Sequence, residues 1–115
     1  MIKLETEAGN IRITDEVFTN LAGDAATSCF GVKGMVACSN GGPWQLLRRE
    51  SMSKGVLVHN NEDGSISLEL HIGVDRGVNI VAVGKSIMNE VSYKLANQTG
   101  IEIQSVDVFV DAIIS

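Results

Sequence analysis

The residues best suited to proton transfer are Glu69 and His71, which lie two positions apart in the stretch Ser65 to Val74. Because side chains alternate across a strand, an acid and a base at this spacing would share one face of a sheet. Apolar residues take the positions in between, which predicts a central strand with one buried face: Ile66, Leu68, Leu70, Ile72 and Val74. No nucleophile is implied beside the pair, so a solvated strand face is favoured over a catalytic site.

A second group suited to binding is the basic cluster formed by Trp44, Arg48, Arg49 and Lys54 in a chain whose net charge is −5. Tryptophan and arginine are over-represented at binding hot spots, which makes these four residues candidates for partner binding. The alternative is that Trp44 covers the edge of the core and that the arginines are solvated. The overall charge opposes binding to nucleic acid and to anionic lipid surfaces.

The cysteines and histidines do not predict a metal or redox site. Cys29 and Cys38 form no C-x-x-C motif and have no histidine at ligand spacing, which argues against zinc and against a disulfide framework. Cys29 lies on an apolar helix face and is interpreted as a small core residue. His59 and His71 are interpreted as surface residues, too far apart for one metal to bridge. With no P-loop or dinucleotide fingerprint, we predict no catalytic, metal-binding or cofactor-binding residue, and no enzyme.

The first part of the chain predicts a hairpin, a helix and a strand. Residues 2–6 and 11–13 alternate weakly around a turn. Thr14 is a good N-cap for a helix whose apolar stripe reaches Cys29 and which Gly31 ends. The apolar run Met35 to Cys38 is consistent with a second strand, and Pro43 suits the first position of a short helix, Trp44 to Ser51.

The second part predicts a hairpin, a helix and a last strand. Lys54 to Asn61 joins the central strand through a three-residue loop ending in Gly64, which sets Val58 opposite Leu68. Asn79 and Gly100 bound the second main helix. The last strand alternates from residue 106 to 111 but changes phase before it, so we expect a bulge near Gln104–Ser105.

Together these elements predict an α+β fold for residues 1–115 as a single domain. Right-handed crossovers should place the two main helices on one face of a mixed β-sheet, giving two layers in a βαββαβ-like order. The short extra helix near residues 44–51 is added to this plan. The opposite face, with Ser67, Glu69 and His71, should be wet or should cover a partner.

Phe109 is the fifth candidate for partner binding, because the alternation puts it on the polar face between Asp107 and Asp111. An aromatic ring there leaves apolar area in water unless something covers it. A strand near the end of the chain is also expected at a sheet edge, where unpaired backbone groups invite another strand. The alternative is that Phe109 packs under the N-terminal hairpin.

Six stretches, taken in order, resemble the alkaline-shock-protein family, the envelope stress response proteins of Gram-positive bacteria. They are L-E-T-E-A-G-N-I-R-I-T at Leu4–Thr14, V-F-T-N-L-A-G-D-A-A at Val17–Ala26, G-V-K-G-M at Gly31–Met35, S-K-G-V at Ser53–Val56, G-V-N-I at Gly77–Ile80 and G-I-E-I-Q-S-V-D-V-F-V at Gly100–Val110. The resemblance covers almost the whole chain and is closest to the short YloU-like branch. Ala112 departs from it, since many relatives have glycine after the last strand.

The resemblance implies a small, cytoplasmic, non-enzymatic protein without a cofactor. Some members are held near the membrane by a separate anchor protein, and short-branch members are associated with fatty-acid and phospholipid metabolism. The leading hypothesis is therefore an interaction or scaffold protein in envelope stress response or lipid homeostasis. It would bind itself as a homo-oligomer or bind a partner, such as a membrane-anchor protein or a fatty-acid-metabolism enzyme.

Two further expectations complete this hypothesis. The chain start has no apolar signal region and no run is long enough to span a membrane, so no direct membrane insertion is expected. The alternative function is a small-molecule-sensing regulatory domain, because βαββαβ modules often bind metabolites between subunits. A deep apolar pocket would favour that alternative, whereas an exposed aromatic at an edge would favour the interaction protein.

Overall fold

The computed structural model describes residues 1–38, 44–47 and 54–114. Its elements are, in chain order, β1 (Ile2–Thr6), β2 (Gly9–Ile13), α1 (Asp15–Thr27), β3 (Val32–Cys38), β4 (Trp44–Leu46), β5 (Val56–Asn60), β6 (Ile66–Asp75), α2 (Ile80–Thr99) and β7 (Ile103–Ile114). None of the helices in these residues is long and apolar enough to cross a bilayer.

The main sheet is built around β6, whose two edges are shared among three strands. β7 runs parallel to β6 along one whole edge. The other edge is divided between β5, which pairs antiparallel with the first half of β6, and β3, which pairs antiparallel with the second half. β4 extends the sheet beyond β3. The predicted mixed sheet is confirmed.

Both helices cover the same face of this sheet, as the sequence predicts. α1 packs against β3 and β5, α2 packs against β7, and the two helices contact each other. The alternate residues of β6 on this face are 0–1% exposed: Ile66, Leu68, Leu70, Ile72 and Val74. Opposite them the helices contribute another buried set: Phe18, Ala22, Ala25, Ala26, Val83, Ile87, Val91 and Leu95.

The β5–β6 hairpin has the predicted register, with Val58 opposite Leu68 and Val56 opposite Leu70. The predicted caps of α2 are also confirmed. The Asn79 side chain accepts a hydrogen bond of 3.0 Å from a backbone N–H of the first turn, and Gly100 ends the helix with a φ of 74°, a left-handed conformation that glycine adopts at low cost.

α1 differs from the prediction at both ends. It begins directly after Thr14, but the Thr14 side chain makes no capping hydrogen bond. It ends at Thr27 rather than near Gly31, because the hydroxyls of Thr27 and Ser28 bond to carbonyls of the last turn. Gly31 lies in the turn that follows, with a φ of 88°.

The predicted short helix near residues 44–51 is wrong at its start, because Trp44–Leu46 forms β4. These residues pair antiparallel with Val36–Cys38, and the N–H of Leu47 donates to the carbonyl of Met35 at 2.8 Å. Ladder hydrogen bonds to β3 therefore outweigh the local helix signal of Pro43. Residues 48–51 of the predicted helix lie outside the described residues.

The two strand–helix–strand units are not equivalent. β6, α2 and β7 form the predicted parallel crossover. In the first unit, however, β2 pairs only with β1, as a separate two-stranded hairpin, within the part of the chain that the structure describes. The hairpin still contributes to the core, since Ile2 is buried and Ile13 packs against it.

Candidate functional site

The face of the sheet opposite the helices brings together residues that are far apart in sequence. Ser67, Glu69 and His71 alternate with the buried residues of β6 and therefore point away from the helices. The parallel register of β6 and β7 sets Asp107 beside Glu69 and Phe109 beside His71. This open face is where the sequence places a wet surface or a covered partner.

Four residues of the open face form a compact group that we call the open-face cluster: Glu69, His71, Phe109 and Asp111. The His71 ring is bridged by two carboxylates, with Nδ1 2.7 Å from Oδ2 of Asp111 and Nε2 3.0 Å from Oε2 of Glu69. The same ring stacks on Phe109, with centroids 4.8 Å apart and planes 14° from parallel. Only the protonated imidazole can donate to both carboxylates at once.

The protonation of His71 reflects two opposing effects. Burial lowers the pKa of His71, but its hydrogen bonds to Glu69 and Asp111, together with their negative charges, outweigh burial. The pKa of His71 is therefore raised above its ordinary value. The geometry and the charges both favour an imidazolium held between two carboxylates.

A β-bulge positions the carboxylate of Asp111. Val110 pairs with Ile72 and Ala112 pairs with Gly73, so Asp111 has no partner residue in β6. A bulge bends its strand and re-aims the unpaired side chain. The predicted bulge at Gln104 is also present, since β7 skips that residue between Ile103 and Ser105. No described residue other than glycine has a positive φ, so Ala112 needs no glycine-like backbone.

Of the five predicted partner-binding residues, two lie close together on the open face. Lys54 is exposed and lines a cleft of about 230 Å³ together with His71 and Asp111. Phe109 is 42% exposed and stacks on His71 rather than under the N-terminal hairpin. The backbone of Trp44 lies in β4, on the far side of the sheet from β7. The side chain of Trp44, together with Arg48 and Arg49, lies outside the described residues.

The sequence argument missed the role of Asp111 and the bridging of His71. Glu69 and His71 were recognised as neighbours on one strand face, but their link to β7 depends on a parallel pairing across about forty positions. The usable signal is the shared parity of the two strands. Glu69 and His71 alternate in β6 as Asp107, Phe109 and Asp111 alternate in β7.

The chemistry available at this face is recognition more than reaction. Both nitrogens of the His71 ring already contact carboxylates, which occupies the group best suited to act as a base. Among the described residues, no group of three or more His, Cys, Asp or Glu side chains has a geometry that could hold a metal ion. Burial raises the pKa of the Cys29 thiol, which suits its interpretation as a core residue.

A separate groove lies between the N-terminal hairpin and the helices. It has a volume of about 580 Å³ and is open to solvent. Its lining combines an apolar and a polar set: Ile11, Ile13, Val17 and Leu21, with Arg12, Asn20, Gln98 and Thr99. This groove is the place where a small molecule would find both apolar contact and polar groups.

The fold and the sequence both have known counterparts. The solved structure MamM-CTD 215-293 superposes with a TM-score of 0.52 at 19% identity, over 86% of this chain and 99% of that one. This likeness concerns the fold alone. The chain is 32% identical to the uncharacterized protein YloU of Bacillus subtilis, covering 97% of this chain and 94% of YloU.

A second relative has a similar span. The uncharacterized protein Spy1614 of Streptococcus pyogenes is 35% identical, over 97% of this chain and 93% of its own length. Residues 3–115 match one family as a whole, whose description is a cell envelope-related function. This chain therefore belongs to the alkaline shock protein 23 family.

Proposed function

We propose that this protein is a non-catalytic interaction module that binds itself or a partner protein, in envelope stress response or in fatty-acid and phospholipid homeostasis. The partner would be a membrane-anchor protein or an enzyme of fatty-acid metabolism, and it would hold this cytoplasmic chain at the membrane periphery. The cell envelope-related description of the family supports the setting.

The observation that carries the proposal is the exposed, pre-positioned ring of Phe109. It is 42% exposed, yet its orientation is fixed by stacking on His71, which in turn is held by two carboxylates. An aromatic side chain that is already ordered loses little conformational entropy when a partner covers it. Ordered aromatic anchors of this kind are typical of binding hot spots.

The experiment is site-specific photo-crosslinking in living cells of the source organism. A benzoylphenylalanine placed at Phe109 should crosslink to one defined protein or to a second copy of the chain. The matched control carries the same residue at Tyr93, which is 70% exposed but lies on α2. Equal crosslinking at both positions, or none at Phe109, would contradict the proposal.

The basic cluster is proposed as a second contact region. Lys54 lies beside the open-face cluster, so a partner on that face could also reach the neighbouring arginines in sequence. The double change Arg48→Glu and Arg49→Glu should abolish the crosslink from Phe109 while leaving the melting temperature nearly unchanged. A large fall in melting temperature would instead mean that the arginines are structural.

The groove beneath the hairpin supports a second candidate function, a small-molecule-sensing regulatory domain. Arg12 and Asn20 border its apolar wall, as expected for an amphipathic ligand. Native mass spectrometry of the protein purified without denaturation should then detect a bound mass that Ile11→Arg removes. Ile11 is 52% exposed, so the substitution should leave the fold intact. The absence of a bound mass would count against a sensor.

A further inference from the structure

The outer edge of β7 is unpaired among the described residues. β7 extends over twelve residues and hydrogen-bonds only to β6. A strand of this kind leaves every second N–H and C=O pointing outward. Natural edges are often protected by lysine or proline, but the charges within β7 are only two aspartates, Asp107 and Asp111. The edge is therefore long and available for another strand.

The two sides of this edge differ in chemistry. On the helix side, a cleft of about 510 Å³ is lined by Ile80, Val110, Asp111, Ala112 and Ile113. Ile80 is 39% exposed and Ile113 is 52% exposed there. On the open face the edge presents Asp107, Phe109 and Asp111. An added strand would therefore meet an apolar surface with one set of side chains and an acidic, aromatic surface with the other.

Charge disfavours a second copy of the chain as the added strand. The antiparallel register that brings two Phe109 rings together places Asp107 of each copy opposite Asp111 of the other. Like charges directly opposite destabilise a strand pair. Asp107 is exposed and forms no ion pair with another described residue, so it would remain uncompensated. The edge is complementary to a basic strand.

We propose that the outer edge of β7 accepts an extended segment of a partner protein, in which Lys or Arg alternates with apolar residues. Main-chain hydrogen bonds would give affinity, and the alternate side chains would give specificity. The basic side chains would reach Asp107 and the face of the Phe109 ring. The apolar ones would fill the cleft beside Ile80 and Ile113. This inference rests on the proposed function and names the partner class of that site.

The test uses a blocked, fluorescent octapeptide of alternating lysine and valine, titrated against the whole protein by anisotropy. One control peptide alternates glutamate and valine, and a second has the same composition with the four lysines and four valines in blocks. Only the alternating basic peptide should bind with saturation, and it should slow amide hydrogen exchange in β7. Equal binding of the three peptides, or none, would overturn the inference.

Two variants locate the binding. Asp107→Lys should weaken the peptide by about tenfold or more, because it replaces attraction by repulsion on the open face. Glu62→Lys makes the same change of charge in the exposed β5–β6 loop and should leave the affinity nearly unchanged. Equal affinity for the wild type and Asp107→Lys would place the peptide elsewhere and overturn the inference.

This result can be separated from failure of the proposed function. A specific protein crosslink from Phe109 together with no peptide binding would reject the strand-addition inference alone. A crosslink to a second copy, with dimers in sedimentation that Asp107→Lys strengthens, would assign the edge to self-association and also reject it. No crosslink at Phe109 would reject the proposed function first.

Discussion

The two faces of β6 are made by alternate residues of one strand, yet they differ in what holds them. On the covered face, five aliphatic side chains are 0–1% exposed against two helices. On the open face, the side chains of Glu69 and His71 are 26% and 28% exposed and are held by hydrogen bonds. The covered face is stabilised by area removed from water. The open face is ordered without being covered, which leaves it available for recognition.

The largest expected effect tests the covered face. Leu68→Ala and Leu70→Ala should each lower the free energy of unfolding by about 2–5 kcal/mol, because both leave cavities among fully buried groups. Chemical denaturation measures this loss. The control Ser67→Ala, on the open face, removes a hydroxyl that accepts from Asn61 and should cost about 1 kcal/mol. Comparable losses from both faces would dissolve the distinction between them.

Gly31 tests how tightly the covered side is closed. An added Cβ would lie 3.0 Å from Val83 and 3.2 Å from Val78, in a left-handed conformation that costs other residues about 1–3 kcal/mol. Gly31→Ala should therefore destabilise by about that amount in denaturant melts. Gly84→Ala is the control, since a Cβ there meets no atom within 4 Å and should stabilise the helix by about 0.5–1 kcal/mol. A stabilising Gly31→Ala would show that this junction has spare room.

Phe109 tests whether the open face is needed for the fold. Phe109→Ser removes the stack on His71 and should cost about 1 kcal/mol, since aromatic pairs contribute about that much beyond area burial. If the ring mediates self-association, sedimentation across a concentration series should show the wild type associating and the variant not. Tyr93→Ser serves as the exposed-aromatic control. Two monomeric proteins and a loss of several kcal/mol would instead assign Phe109 to the fold.

The smallest expected effect is the pH dependence of His71. Its folded pKa is raised above the unfolded one, so its stabilising contribution is complete below the ordinary histidine pKa. It is lost as pH rises through the higher, folded value. Solvent access to the ring keeps this contribution small.

The measurement compares melting temperatures of the wild type and His71→Gln from about pH 5.5 to about pH 8.5, a range that spans the ordinary histidine value. The advantage of the wild type should shrink as pH rises. His59→Gln is the control, since His59 is exposed on the neighbouring strand β5. A constant difference at every pH would mean that His71 stays neutral between its two carboxylates.

Features decided by local patterns were predictable from the sequence. The β5–β6 register follows from alternation and a glycine-bearing loop, and the ends of α2 follow from Asn79 and Gly100. The bulge at Gln104 follows from the change of phase between Ile103 and Val106. In each case the deciding residues lie within about ten positions of one another.

Features decided by long-range pairing were not predictable in the same way. β4 exists because Val36–Cys38 offers a ladder to Trp44–Leu46, which no helix propensity of the segment reports. The bridging of His71 depends on a parallel partner forty residues away and on a bulge at Asp111. The apolar run after Asp111 carries no alternation, so the sequence gives no sign of that second bulge.

The parallel pairing of β6 with β7 also has a consequence during synthesis. β6 is made before α2, and the strand that fills its remaining edge is the last element described. At roughly 5–20 residues per second, the ribosome needs a few seconds to move from Ile66 to Ile103. Throughout that interval the nascent chain carries an apolar strand with an open edge, which exposes it to misassembly and to capture by chaperones. A rare-codon pause within α2 would lengthen that exposure, whereas a pause before Ile66 would not.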